Sequence, residues 1–292
     1  MVFVFWFTYG FLFSQEYVDL VSVTVGKNTN AKFEGTSFSS NANTIDVATV
    51  FPIVIDKKNT FISGIDFSST SISLFPESTS TNLYSTTLKI GLATTFSKKW
   101  STTFVLLPKI ASDYKSLSGK DFYLGGLALV KLQKKENLKY RFGFYASTEA
   151  FGLFTTPILG LYYKSPNKRF EIDASLPISL DINYGFKNFT LGFDYTGLGR
   201  SYKLQTQPNV YVEQSPLEFS SYFQINPFNK SFLIRAKLGI TTNEHEVYLK
   251  EDTIKFKISA FEFGRNRNQL NPSLSNTFFV RIQAIYRFDI EK

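Results

Sequence analysis

Residues 84–96 read YSTTLKIGLATTF, and the spacing of their apolar side chains decides the fold class. On an extended chain Tyr84, Thr86, Leu88, Ile90, Leu92, Thr94 and Phe96 share one face, while Ser85, Thr87, Lys89, Gly91, Ala93 and Thr95 share the other. That is the two-residue repeat of a strand, not the longer repeat of a helix. The alternation recurs along the chain. Leu138, Tyr140, Phe142, Phe144 and Ala146 oppose Lys139, Arg141 and Gly143; Phe170, Ile172, Ala174 and Leu176 oppose Glu171, Asp173 and Ser175. Phe189, Leu191, Phe193 and Tyr195 oppose Thr190, Gly192 and Asp194. Phe232, Ile234, Ala236, Leu238 and Ile240 oppose Arg235, Lys237 and Gly239, and Phe278, Val280, Ile282, Ala284, Tyr286 and Phe288 oppose Arg281, Gln283 and Arg287.

Half-apolar strands build either a water-soluble sandwich or a membrane barrel with its apolar face in lipid. Three features favour the barrel. The strands run to roughly 10–13 residues, enough to cross a bilayer at a tilt, whereas ordinary strands average about 5–6. Their polar faces mix Gly, Ala and Ser with charges of both signs, as a crowded lumen requires. The apolar faces tend to end in aromatic residues, as at Tyr84, Phe96, Trp100, Tyr286 and Phe288, and such rings favour the headgroup level. With 32 Phe, 16 Tyr and 2 Trp the chain is 17% aromatic, an excess that lipid-facing strands absorb.

Composition narrows the chemistry. The 292 residues carry a net charge of +8 and no cysteine, which excludes disulfide scaffolds, thiolate zinc sites, iron–sulfur clusters and thiol nucleophiles. A mean hydropathy of −0.08 argues against helical membrane spans. The apolar run MVFVFWFTYGFLF at residues 1–13 is too short to span a bilayer as a helix and reads as the core of a secretory signal. The expected organisation is therefore a signal peptide at 1–15, lacking a basic start, and a single barrel domain at 16–292.

Short polar turns at 56–59, 97–99, 133–137, 165–168, 187–188 and 226–230 alternate with longer segments at 27–43, 69–82, 111–120, 149–155, 200–216 and 243–275. Short turns on one side and long loops on the other describe an outer-membrane barrel with periplasmic turns and extracellular loops. The strand count is fourteen if the chain turns tightly near Pro177, and twelve if residues 170–186 form one strand. Alternation at Ile254, Phe256, Ile258 and Ala260 predicts a β-hairpin standing above the barrel within the last loop.

The stretch SGKDFYLGG at 118–126, the run PILGLYY at 157–163 with its Asn167-Lys168-Arg169 turn, and Leu176-Pro177 followed by Tyr184-Gly185-Phe186 resemble an uncharacterised outer-membrane β-barrel family. That family is a domain of unknown function found mainly in Bacteroidota, and the likeness extends over most of residues 40–289. The resemblance implies a closed barrel and an outer-membrane location, with no known substrate, cofactor or catalytic residue.

A serine-hydrolase barrel would need a histidine, and the chain has one, His245, within Asn243-Glu244-His245-Glu246. It reads as a solvated loop residue. Glu244 and Glu246 face one way on an extended segment while His245 faces the other, so a metal site is not expected there. The sequence Gly197-Leu198-Gly199-Arg200 lacks the following helix that a phosphate cradle requires. Asn266, flanked by Arg265 and Arg267, forms the tightest basic cluster and is a candidate contact for lipopolysaccharide phosphates. Basic residues elsewhere are scattered, so no nucleic-acid partner is expected.

The candidate binding residues are the predicted lumen charges: Lys89, Lys139, Arg141, Glu171, Asp173, Asp181, Asp194, Glu218, Arg235, Lys237, Arg281 and Arg287. Charges inside a barrel must pair across the lumen or line a wet pore. The reading is a monomeric outer-membrane barrel, a passive pore, a small-solute-binding barrel or a structural envelope protein. Its expected partners are outer-membrane lipid, lipopolysaccharide and the barrel-assembly machinery, which Phe288 near the C-terminus would engage. The alternatives are a lipid-modifying barrel enzyme and a soluble secreted all-β protein that binds carbohydrate.

Overall fold

The computed structural model describes residues 17–289 except 117, 118, 198, 208, 229, 230 and 265. The expected signal peptide at 1–15, together with Leu198, Arg265 and the tail at 290–292, lies outside the described residues. The chain enters through β1 (Tyr17–Lys32) and returns through β2 (Ser39–Thr49), which continues past Val50 as β3 (Phe51–Val54). Four antiparallel crossings follow: β4 (Asn59–Ile72), β5 (Thr81–Thr95), β6 (Trp100–Ser112) and, after one 3-10 turn (Gly119–Asp121), β7 (Phe122–Lys135). Next come β8 (Leu138–Glu149), β9 (Gly152–Lys164), the short hairpin β10 (Phe170–Leu176) and β11 (Ser179–Gly185), and β12 (Phe189–Gly197). The remaining strands are β13 (Arg200–Lys203), β14 (Val210–Gln214), β15 (Leu217–Ile225), β16 (Phe232–Thr241), β17 (His245–Leu249), β18 (Phe256–Ile258), β19 (Phe261–Phe263) and β20 (Thr277–Asp289).

The ladder closes. Counting β2 and β3 as one crossing, the order β1, β2, β4 through β12, β15, β16, β20 and back to β1 makes an antiparallel barrel of fourteen strands. The count is the one that follows from a tight turn at Pro177, where Ser175 pairs with Ser179 across the hairpin tip. Closure between β1 and β20 extends from Tyr17 opposite Asp289 to Asn28 opposite Phe279. Closure leaves the ring of fourteen crossings without a terminal strand, the feature lipid penalises because it offers no partner for an unpaired amide.

The two faces of each crossing differ as the alternation requires. Val25, Ile45, Ile65, Leu88, Ile90, Leu92, Phe104, Leu106, Phe142, Phe144, Leu238, Val280 and Ile282 are all exposed on the outside. A girdle of this extent is incompatible with water as its solvent and fits the hydrocarbon band of a bilayer. It also disfavours the soluble secreted alternative. No helix among the described residues is long and apolar enough to cross a membrane.

Substitution by depth tests this orientation. Leu88, midway along β5, is expected to tolerate Arg poorly, with a cost of about 2–4 kcal/mol in reversible folding into vesicles, while Phe96→Arg beyond its inner end costs about 0–1 kcal/mol. Equal costs at the two positions would contradict the assigned band.

Candidate functional site: a charged lumen beneath an inward-folded flap

The lumen is lined by ion pairs. Lys89 reaches Asp66 at 2.6 Å, and Arg141 grips Asp173 through two nitrogens at 2.5 and 3.2 Å. Arg235 pairs with Asp181 at 3.1 Å and donates from Nε to Gln224 at 2.6 Å. Lys237 pairs with Asp194, and Arg281 with Glu218. Lys139 sits over the Tyr162 ring, 4.9 Å from its centroid. Glycine makes room for two of these side chains. A Cβ at Gly26 would lie 2.4 Å from Cγ of Arg281, and one at Gly192 would lie 2.2 Å from the Tyr222 ring. That ring carries Arg235 on its face, 4.3 Å away, and its hydroxyl donates to Asp181 at 2.8 Å.

At the inner end the Tyr17 hydroxyl donates to the carboxylate of Glu171, which Lys164 approaches to 3.6 Å. Along the wall, the shorter route from β1 to β10 runs through β20, β16, β15, β12 and β11, and the longer one through β2 and β4 to β9. The bond therefore joins nearly opposite sides of the barrel and crosses the lumen. Arg287 holds the tyrosine in place, its guanidinium 3.5 Å from the ring centroid and its Nε 2.5 Å from Asp19.

The outer mouth is filled by the protein's own wall. Beyond Gly197 and Gly199 on one side, Ser215 and Pro216 on the next, and residues 242–244 on the third, the β12, β15 and β16 crossings continue as β13, β14 and β17. Their pairing continues too: Glu218 opposite Thr241 is followed by Gln214 opposite His245. These three strands lean inward as a flap whose far edge meets β6, where Lys203 pairs with Ser112. A shared core forms beneath it from Tyr202, Leu204, Val212 and Val247 of the flap against Ile72, Leu83, Ala111 and Tyr123 of the wall.

Polar clamps fasten the flap. Glu149, fully buried, accepts from Lys109 at 2.6 Å and Ser147 at 2.8 Å on the wall, and from the amide and hydroxyl of Ser201 at 2.8 and 2.7 Å on the flap. Asp113 accepts from the amides of Gln205 and Thr206 at 3.1 and 2.9 Å. Asn271 donates to the carbonyls of Leu74 and His245 at 3.1 and 2.9 Å and accepts from the Val247 amide at 2.8 Å. A second cluster binds the last loop: Glu213 accepts from Lys257 and Arg267 at 2.7 and 2.6 Å, and both cations also reach Glu262.

The structure corrects three expectations. His245 is not a solvated loop residue: it lies in β17 opposite Gln214, 4% exposed, because the flap folds inward and takes it from solvent. Burial lowers its pKa to about 4, outweighing the Asn243 backbone and the Glu218 carboxylate, which favour protonation. Arg267 does not offer its guanidinium to lipopolysaccharide, since Glu213 and Glu262 enclose it and its side chain is 3% exposed. The predicted hairpin exists as β18 and β19 but does not stand free, since Phe256, Lys257 and Ile258 pair with Leu153, Phe154 and Thr155 of β9.

The chain belongs to the family described as Domain of unknown function (DUF6268). Its model matches residues 13–283. No curated protein matches the chain. Among solved structures, the KdgM porin in complex with disordered oligogalacturonate aligns over 91% of this chain and 99% of its own, with 9% identity and a TM-score of 0.37. The CymD monoaromatic hydrocarbon channel aligns over 94% and 90%, with 10% identity and a TM-score of 0.39. The NanC porin aligns over 91% and 98%, with 8% identity and a TM-score of 0.38.

Two predictions follow from the clamps. Glu149→Ala strands Lys109 in a buried site at a cost of about 3–5 kcal/mol, so amide exchange is expected to rise in β13, β14 and β17 while β1 and β20 stay protected. Uniform exchange changes would show that flap and barrel open together. For His245 the folded pKa of about 4 lies below the unfolded value near 6.5, so the unfolded flap binds more protons. Its stabilisation is complete above about pH 6.5 and declines toward pH 4, by roughly 3 kcal/mol at the limit. Protection factors in β14 and β17 should fall over that window and stay level in His245→Leu; a pH-independent wild type would refute the assignment.

Proposed function

We propose that the protein is a non-enzymatic outer-membrane conduit for small polar solutes, held closed at rest by its own flap. The observation that carries this reading is the wetness of the charged lining. In four wall pairs the acid is more accessible than its base: Asp66 38% against 18% for Lys89, Asp173 24% against 10%, Asp181 25% against 10%, and Asp19 36% against 13%. Carboxylates of this accessibility border water and are not sealed into a solid network, because a dry interior would leave their desolvation uncompensated. These four pairs present their acids to the passage while their bases lie against the wall; in Lys237–Asp194 and Lys164–Glu171 the acid is the more enclosed partner.

Catalysis forms no part of this reading, since the single histidine is enclosed in the seam between β14 and β17. Outer-membrane residence rests on the exposed apolar girdle and the closed ladder. Outer-membrane lipid is the partner of that girdle, and the barrel inserts as a monomer through the assembly machinery.

Planar-bilayer recording tests the proposal. Wild-type protein is expected to conduct little. Replacing residues 200–214 and 243–275, which carry β13, β14 and β17, each with a short Gly-Ser turn should give discrete openings with a reversal potential that favours cations, despite the chain's net charge of +8. Adding Tyr17→Ala, which removes the inner strut, should increase the current further. A folded flap-less barrel that stays silent would show that the lumen is a structural filling.

A further inference from the structure

The wall is uneven in height. β9 has 13 residues, but β10 and β11 have 7 each. At a rise of about 3.3 Å per residue and a tilt near 40°, seven residues cover roughly 18 Å of an apolar band about 25 Å tall. β10 pairs with β9 only as far as Leu159, so the outer part of β9 has no neighbour within the barrel on that side. The hairpin of β18 and β19 occupies this position, with Phe256 opposite Leu153 and Ile258 opposite Thr155. Its three-residue strands stand beside residues 153–155, above the stretch 156–158 where β10 has already turned away, and carry about 10 Å of wall along the strand direction beyond the β10 and β11 hairpin.

The hairpin's two faces match those of the wall. Lys257 and Glu262 point into the ion cluster with Glu213 and Arg267. On the other face Phe256 and Phe263 stack with centroids 4.7 Å apart, and Ile258, Phe261 and Phe263 are 37%, 71% and 45% exposed. This face continues the outer girdle through Leu153, 43% exposed, toward Leu124 and Phe122. Lys255 lies exposed at the hairpin's base. A polar loop in water has no reason to turn its aromatics outward and its charges inward.

We propose that this hairpin is seated in the outer leaflet, where Phe256, Ile258, Phe261 and Phe263 contact lipid hydrocarbon and complete the wall above β10 and β11. The last loop is thereby anchored in the membrane at one end and over the lumen at the other.

Because the chain has no cysteine, a single engineered thiol reports one position. Phe261→Cys and Phe263→Cys, each carrying a nitroxide in phospholipid vesicles, are compared with Leu88→Cys in the girdle and Lys57→Cys in the inner turn. Collision with oxygen should exceed collision with a water-soluble nickel chelate at both hairpin sites, as at Leu88. A ratio reversed to that of Lys57 would overturn the proposal. Should either thiol variant fail to insert, Phe261→Trp with Trp6 and Trp100 changed to Phe supplies a second reading. Quenching by bromine on the acyl chains supports lipid seating, and quenching by aqueous iodide alone refutes it. Neither measurement depends on whether the lumen conducts.

Discussion

Every backbone amide placed in hydrocarbon needs a partner, and the antiparallel register of β1 on β20 meets that requirement at the seam by closing the ring of fourteen crossings. Once the ladder is closed, side-chain direction follows from residue parity. Apolar residues at one parity meet lipid, and the opposite parity faces a lumen of limited width. The aromatic excess and the scattered charges are thus two consequences of one geometric condition.

Closure also explains why the lumen charges are paired. A side chain such as Arg141 cannot turn back to bulk water, so it takes Asp173 two strands away. Tyr17 reaches Glu171 on nearly the opposite wall because the inner end is narrow enough for one hydrogen bond to cross it. Where strands rise above the lipid band the condition relaxes. There β13, β14 and β17 keep their ladder pairing yet lean inward, and their amides find partners on β6 and in Asp113, Glu149 and Asn271. The flap is wall material that no longer needs to face lipid.

Much of this was legible in the residues. Strict alternation from Tyr84 to Phe96 marks β5, and Pro177 between two alternating runs marks the turn that makes the count fourteen. The inward parity of Arg141, Asp194 and Arg281 follows from their neighbours. Their partners did not follow, because Arg281 meets Glu218 across 63 residues and Tyr17 meets Glu171 across 154, separations that no local pattern encodes. Lys109, Glu149 and Glu213 carry no local sign of their clamp role for the same reason. His245 misled because its neighbours are polar; its burial comes from the inward lean of three strands, a tertiary event. The alternation of residues 254–260 did show a hairpin, but not that β9 lacks a neighbour at that height.

The inward lean of the flap is the claim on which the closed conduit rests. Nuclear Overhauser spectroscopy on deuterated, amide-protonated protein in lipid nanodiscs tests it directly at the contact between Ser112, Asp113, Lys203 and Leu204. The account predicts cross-peaks linking these two segments, alongside those that join β14 to β17. Loss of the first set with retention of the second would mean that the flap stands upright and the mouth is open.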